Sequence, residues 1–309
     1  MIARAREIAD VLWATWQRFV RDRMADGAAS LAYYLLLSLI PSLLIFGAVV
    51  KVLGADAAAD IVEYAAEQGA SPSLTGALDG VLDTAVESAP EGAGAAGLLG
   101  VATLVYGASR ALTAAGRLLD VIAGRAVTGR PLVRRAKDIG WTVVLLVLVL
   151  VLLALVFVTG SVVRGIFGAI GQEDAGTIAW DVLRWPAAFL LGIVVVGLVA
   201  FAAPSDRVRE FRPWTAGGLF TVAAFLGGSA AYGLYLANLS RYNATYGAFA
   251  ALVILMLWVW GGSLAFLFGA ELDAELRARE RAAPPAVDES DAGHRRLARK
   301  PAGQGERRP

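Results

Sequence analysis

The sequence predicts an all-α fold, a polytopic membrane bundle of six transmembrane helices. Of its 309 residues, 57% are hydrophobic, against about 45–50% in a soluble domain. The excess is concentrated in six blocks of roughly 20 residues, the length of helix that crosses a hydrocarbon core about 30 Å thick. Because period-2 alternation is absent, these blocks indicate helices rather than strands of a closed barrel. The predicted spans are residues 29–53, 92–112, 141–163, 179–203, 214–237 and 247–269.

Other segments flank or interrupt the bundle, which occupies residues 29–277. Residues 1–28 carry apolar side chains at helical spacing among arginines. This pattern suits an amphipathic helix in the membrane interface or one packed on the bundle, and the two readings are compatible. The loop 54–91 predicts two short amphipathic helices on the outer face, the second beginning at Pro72. The polar tail 278–309 has a composition typical of disorder.

The charges between the spans alternate along the chain. Five Lys or Arg residues precede the first span, seven lie within 110–140, three within 204–213 and nine after the sixth span. Each of the other three connections carries a single basic residue, and the one at 51–91 also holds eight acids. Because basic loops stay on the cytoplasmic side, the pattern predicts a multi-pass protein of the bacterial inner membrane with both termini in the cytoplasm.

Small residues at a spacing of four predict where helices approach closely. The second span carries Gly92, Ala96 and Gly100, and its weak hydropathy indicates that its neighbours hold it in place. The sixth span carries Gly261, Ala265 and Gly269, which predicts a central, tightly packed sixth helix.

The first span contains a group of polar or helix-disrupting residues. Pro41 removes a backbone donor and is expected to kink the helix. Tyr33, Tyr34 and Ser38 precede it. They would line a cavity beside the kink, or else serve as hydrogen-bonding contacts between helices, which is the commoner role of such residues. At the outer end of the bundle, Tyr242 and Tyr246 fit an aromatic belt.

Two carboxylates, Glu271 and Asp273, follow the sixth span. A carboxylate in a membrane is costly and is often functional, so a proton or cation site is one interpretation. The alternative is an interfacial charge with a structural ion pair. Arg110 is the predicted partner of Glu271, since both residues are expected at the cytoplasmic ends of their spans.

The residue inventory excludes several kinds of chemistry. The chain has no cysteine and a single histidine, His294, so thiolate metal sites and histidine acid–base pairs are excluded. It has no phosphate-binding G-x-x-x-x-G-K-[ST] loop. We therefore expect no catalytic residues, no cofactor, no bound metal and no nucleic-acid partner, and a ribonuclease is the least favoured reading.

Three stretches carry a family resemblance. They are AASLAYYLLLSLIP at residues 28–41, YNATYGA at 242–248 with Leu257 and Trp258 beyond it, and GAELD at 269–273. In combination they resemble the YihY/BrkB family of bacterial inner-membrane proteins, which carries an older ribonuclease BN label. The family usually has Asn at the position of Asp273. The resemblance implies six helices with both termini inside.

The resemblance implies a role in the cell envelope but no common reaction. The favoured expectation is a protein that transports or exports a lipid, an envelope precursor or a small solute. The alternative is a non-transporting scaffold for envelope integrity. Membrane lipids are the expected partners. Because six helices are few for a secondary transporter and no inverted repeat is evident, a homo-oligomer is also expected.

Overall fold

The computed structural model describes residues 2–53, 57–67, 72–88, 95–125, 131–157, 173–204, 211–237 and 243–282. Within these stretches the chain forms nine α-helices. They are α1 (Ile2–Arg21), α2 (Met24–Leu53), α3 (Ala57–Glu67), α4 (Pro72–Glu87), α5 (Ala95–Ile122), α6 (Pro131–Phe157), α7 (Glu173–Ala202), α8 (Ala216–Ala237) and α9 (Asn243–Ala282).

Six of these helices are long and apolar enough to cross a membrane, namely α2, α5, α6, α7, α8 and α9. Each overlaps most of one of the six predicted hydrophobic blocks. Both the all-α class and the six-span bundle are confirmed. The two short helices predicted between the first and second spans are present as α3 and α4, and Pro72 is the first residue of α4, where its missing N–H costs no helical hydrogen bond.

The spans form a closed ring. Each span packs against the next one along the chain, and α9 packs back on α2. The main hydrophobic core lies where α2 begins and α5 and α9 end, around Met24, Leu119 and Leu267. We call this the charged end, since the ionic contacts of α1 and α9 are found there. At the far end of α2, a smaller cluster of Val50, Ile61 and Leu82 holds α3 and α4.

Helix α1 packs on the charged end of the ring. Phe19 is buried against Phe268 of α9, with ring centroids 5.8 Å apart. A two-residue turn separates α1 from α2, and in it Arg23 adopts a left-handed conformation with φ of 55°. The packing interpretation of α1 is therefore correct. A second face, with Ile8, Trp13 and Trp16, is exposed and stays a predicted contact with the membrane interface.

Several helices extend beyond their predicted limits. The second span was expected to end at 112, but α5 continues to Ile122. The segment 278–282 was expected to be disordered, but α9 continues through it to Ala282. Arg279 accounts for this extension, since its Nε contacts Glu275 Oε1 at 2.8 Å and its Nη2 donates to the Asp10 carbonyl of α1 at 3.3 Å. Residues 158–163 and 283–309 lie outside the described residues.

The predicted small-residue stripes are only partly used. A Cβ atom at Gly269 would collide with the carbonyl oxygen of Gly217 and the hydroxyl of Thr221, and a Cβ at Gly217 would collide with the carbonyl oxygen of Gly269. Gly261 and Gly100, by contrast, face open space. The stripe of the sixth span is therefore correct at Gly269 and wrong at Gly261, because spacing alone does not say which face of a helix meets its neighbour. Gly92 of the other stripe lies outside the described residues.

Candidate functional site

An ion cluster at the charged end joins three helices through Arg18 of α1. Its Nε contacts Glu271 Oε2 at 3.2 Å, its Nη1 contacts Glu275 Oε2 at 3.5 Å, and its Nη2 donates to the carbonyl of Ile122 at 3.3 Å. The Glu271 side chain has no solvent exposure, and its Oε1 has no hydrogen-bond partner among the described residues. Breaking this cluster would leave a buried carboxylate without its cation.

The turn after α1 adds two further ionic contacts. Arg23 Nη2 contacts Asp26 Oδ2 at 2.9 Å, and Arg21 Nε donates to Asp22 Oδ1 at 3.0 Å. The hydrogen bond to Asp22, with the attraction of its charge, raises the pKa of the Arg21 guanidinium above its usual value.

The predicted pairing of Glu271 with Arg110 is wrong. Glu271 pairs with Arg18, and Arg110 lies elsewhere because α5 is longer than expected. Arg110 precedes Ile122, the last residue of α5, by 12 residues. At 1.5 Å per residue it lies about 18 Å from the charged end of α5, beyond reach of a carboxylate beside Ile122.

Asp273 caps a neighbouring helix. Its Oδ1 accepts a hydrogen bond from the backbone N–H of Gly217 at 2.8 Å, in the first turn of α8. The next free N–H, that of Gly218, donates to Thr215 Oγ1 at 3.0 Å. A helix N-terminus has unpaired donors and a partial positive charge, so a carboxylate oxygen is a good acceptor there. An Asn side chain offers the same oxygen, which explains how either residue fits this position.

Arg110 lies over an aromatic ring on the neighbouring helix. Its Cζ is 5.6 Å from the ring centroid of Tyr34 on α2. Among the described residues, no carboxylate or hydrogen-bond acceptor contacts its guanidinium. A charged side chain inside a membrane span is costly and is usually paired with an opposite charge or a carbonyl, and here an aromatic ring takes that place.

The other residues predicted in the first span lie along the same contact between α2 and α5. Ser38 packs against Gly107, where an added Cβ would be 3.3 Å from the Ser38 Cβ. Its hydroxyl donates to the carbonyl of Leu35 at 2.7 Å, within α2. Tyr33 is 59% exposed and meets Tyr34 edge-on, with centroids 5.4 Å apart. Pro41 is buried, and α2 continues through it.

The predicted outer aromatic pair consists of Tyr242 and Tyr246. Tyr242 lies outside the described residues. Tyr246 belongs to the first turn of α9, but its side chain is likewise outside the described part. Their place in an aromatic belt stays a prediction.

Sequence reasoning missed a set of hydrogen bonds between spans. Asp138 of α6 is 2% exposed, and its Oδ2 accepts a hydrogen bond from Thr113 of α5 at 2.8 Å. The Tyr232 hydroxyl donates to the Ile254 carbonyl at 2.7 Å, and the Trp258 indole donates to Ser229 at 3.0 Å, both between α8 and α9. For Asp138 a signal existed, since it is an acid three residues before a long apolar run.

Within the part of the chain that the structure describes, no group of three His, Cys, Asp or Glu side chains could hold a metal ion. Two groups of charged side chains stand out among these polar contacts. One is the ion cluster of Arg18, Glu271, Glu275 and Arg279 at the charged end. The other is the cation–aromatic pair of Arg110 and Tyr34.

This fold defines the class, a polytopic helical membrane protein with an amphipathic N-terminal helix docked on the ring. The sequence model of the virulence factor BrkB family matches residues 15–293. The chain belongs to that family, which confirms the family resemblance carried by the three sequence stretches.

Curated relatives agree with this assignment. A UPF0761 membrane protein of Aeromonas salmonicida is 28% identical over 86% of this chain, which spans 88% of the relative. A UPF0761 membrane protein of Xanthomonas campestris is 27% identical over 85% of the chain, which spans 60% of that relative. The ribonuclease-like protein YfkH of Bacillus subtilis is 24% identical over 48% of the chain, which spans 53% of its length. No solved structure matches the chain.

Proposed function

We propose that this protein transports or exports a lipid, an envelope precursor or a small solute across the bacterial inner membrane, with both termini in the cytoplasm. The observation that carries the proposal is Arg110, a guanidinium within a candidate span with an aromatic ring as its one described contact. Ionisable side chains inside membrane spans commonly mark substrate or ion pathways. A protein that only anchors partners at the membrane surface has no need of an ionisable side chain inside a span.

The position of the core is consistent with this function. The large buried cluster lies at the charged end, where it would close the bundle toward the cytoplasm. Arg110 and Tyr34 lie at its inner edge, since Tyr34 packs against this cluster. A substrate entering from the opposite side would meet the guanidinium before it met the closed core.

Reconstitution tests the proposal. The purified protein is placed in liposomes that carry a trace of fluorescent phosphatidylglycerol, and the fraction of label reaching the other leaflet is followed with an impermeant quencher. Parallel liposomes are loaded with radiolabelled phosphate. Liposomes with an unrelated six-span protein at the same density serve as the control. We expect flux of one probe above that control, and the absence of flux for both probes contradicts transport.

A scaffold is the second candidate, favoured by the surface of α4. Asp79, Asp83 and Glu87 are all exposed there, at the end of the bundle opposite the ion cluster, where they could meet a basic partner in the envelope. If the protein is a scaffold, a variant with all three acids replaced by Asn or Gln should fail to restore envelope integrity to a strain that lacks the protein. Arg110→Gln should restore it. The opposite outcome favours transport.

We propose no enzymatic activity for the chain. The ribonuclease-like name belongs to one relative that matches 48% of the chain. The carboxylates of the ion cluster and of Asp273 are engaged by arginine side chains or a backbone N–H, which leaves them unavailable for hydrolysis of a phosphodiester. A preparation freed of contaminating nucleases should leave a labelled RNA intact.

A further inference from the structure

We propose that Arg110 binds the anionic group, a phosphate or a carboxylate, of the transported ligand between α2 and α5, with the Tyr34 ring beneath the guanidinium. This inference rests on the proposed transport function and assigns it a binding residue and a class of ligand.

The first support is that no described acid contacts Arg110. Asp138 accepts a hydrogen bond from Thr113 at 2.8 Å through Oδ2, and its buried Oδ1 has no partner among the described residues. Glu271 contacts Arg18 at 3.2 Å, and Asp273 accepts from the Gly217 N–H at 2.8 Å. Within the described residues, the donors of Arg110 have no acceptor.

The second support is the fixed position of the guanidinium. Helices α2 and α5 run antiparallel, as three successive contacts show: Gly27 with Leu118, Tyr34 with Arg110, and Ser38 with Gly107. Gly107 lies one turn from Arg110 and permits the close approach. The backbone of Arg110 is therefore held between two tight contacts, and its guanidinium lies against the Tyr34 ring. A planar guanidinium fork matches phosphate and carboxylate oxygens in a bidentate manner.

The third support is the aromatic surface beside the guanidinium. Tyr33 and Tyr34 form an edge-to-face pair, and Tyr33 is 59% exposed. An amphiphilic anion would place its charged group on Arg110 and its apolar portion along Tyr33. A free anion such as inorganic phosphate would use Arg110 alone. The anionic group is common to both sources, and an experiment distinguishes them.

The experiment measures the melting temperature of the purified full-length protein in an uncharged detergent, because a ligand that binds the folded state raises it. The probes are dioleoylphosphatidylglycerol, dioleoylglycerol, which lacks the phosphate, and inorganic phosphate. The variants are Arg110→Gln, Arg110→Lys and the matched control Arg117→Gln, which removes an exposed arginine two turns further along α5. We expect Arg110→Gln to weaken binding about tenfold or more, Arg110→Lys to weaken it less, and Arg117→Gln to leave it unchanged.

The probes identify the source of the anion. Stabilisation by phosphatidylglycerol but not by dioleoylglycerol or inorganic phosphate identifies a lipid headgroup, and stabilisation by inorganic phosphate identifies a free anion. If every probe acts equally on Arg110→Gln and Arg117→Gln, the assignment is overturned.

A measurement on the unaltered protein covers the case in which the Arg110 variants do not fold. Phenylglyoxal modifies arginines, and peptide mapping reports each one separately. We expect the bound probe to protect Arg110 and not Arg117, and equal modification of both with and without probe overturns the assignment.

Binding at Arg110 in a protein that shows no flux would contradict the proposed function alone. Flux that is unaffected by Arg110→Gln would contradict the binding site alone.

Discussion

At the scale of single residues, Arg18 has the largest predicted effect on stability because one side chain serves α1, α5 and α9. Its Nε and Nη1 bind carboxylates and its Nη2 binds a backbone carbonyl. A buried ion pair contributes little net free energy relative to a well-packed apolar pair, but removing one partner leaves an uncompensated charge. The stability lost on removing Arg18 alone can therefore be compared with the stability lost on removing both Arg18 and Glu271.

Replacing Arg18 by Gln should lower the free energy of unfolding by about 3 kcal/mol, the low end of the range for a broken buried pair, since Arg18 is itself partly exposed. The double variant Arg18→Gln/Glu271→Gln should recover part of the loss, because it no longer buries a charge. Thermal unfolding in detergent measures both, with Arg117→Gln as the control for loss of an exposed arginine. A melting temperature for Arg18→Gln equal to that of the control would refute this account of the cluster.

At the scale of helices, the contact between α8 and α9 depends on two glycines. Gly217 and Gly269 bring the two backbones together, and the same turn carries the Thr221 hydroxyl, which donates to the Gly217 carbonyl at 2.8 Å. Asp273, one turn further along α9, caps α8 at the N–H of Gly217. Close approach and capping thus depend on one another, because the carboxylate reaches the N–H only when the helices touch.

Either Gly217→Ala or Gly269→Ala should destabilise the protein by about 2 kcal/mol, since a methyl group forced into a packed contact displaces backbone atoms. Gly228→Ala and Gly261→Ala are matched controls in the same two helices, and both positions face open space. They should be neutral or stabilising by up to about 1 kcal/mol through helix propensity. Urea or thermal unfolding compares the four variants, and equal effects would exclude the proposed close contact.

At the scale of the whole molecule, the ring places α1 and the end of α9 at one end and the helices α3 and α4 at the other. The side of the membrane on which each end lies is a prediction from the basic residues. Because the chain contains no cysteine, a single introduced cysteine can report the side of the membrane on which it lies, without labelling of native thiols.

Asp79→Cys on α4 and Glu280→Cys near the end of α9 are both at exposed positions. In intact spheroplasts a membrane-impermeant maleimide should label the first and not the second, while permeabilised spheroplasts should show both labelled. Labelling of Glu280→Cys alone before permeabilisation would place the termini outside and invert the orientation.

Much of the candidate site could not be predicted from the sequence, for identifiable reasons. Glu271 was recognised as a notable acid, but its partner Arg18 lies 253 positions away along the chain, and nothing local connects them. The error about Arg110 followed from the end of α5. Its Gly- and Ala-rich stretch is weakly hydrophobic and the charges after residue 109 resemble a loop, so hydropathy ended the span about ten residues early.

The sequence alone determined the all-α class, the six spans, the start of α4 at Pro72 and the family, because each depends on patterns within a few turns of one helix. The tertiary structure alone decided which glycines touch, which helix Asp273 caps, and that Arg18 rather than Arg110 neutralises Glu271. These contacts depend on the rotation of each helix about its axis and on its position along that axis. The packing of all six spans sets the rotation and the position. It also placed Arg110 against the Tyr34 ring, with no acceptor for its guanidinium among the described residues.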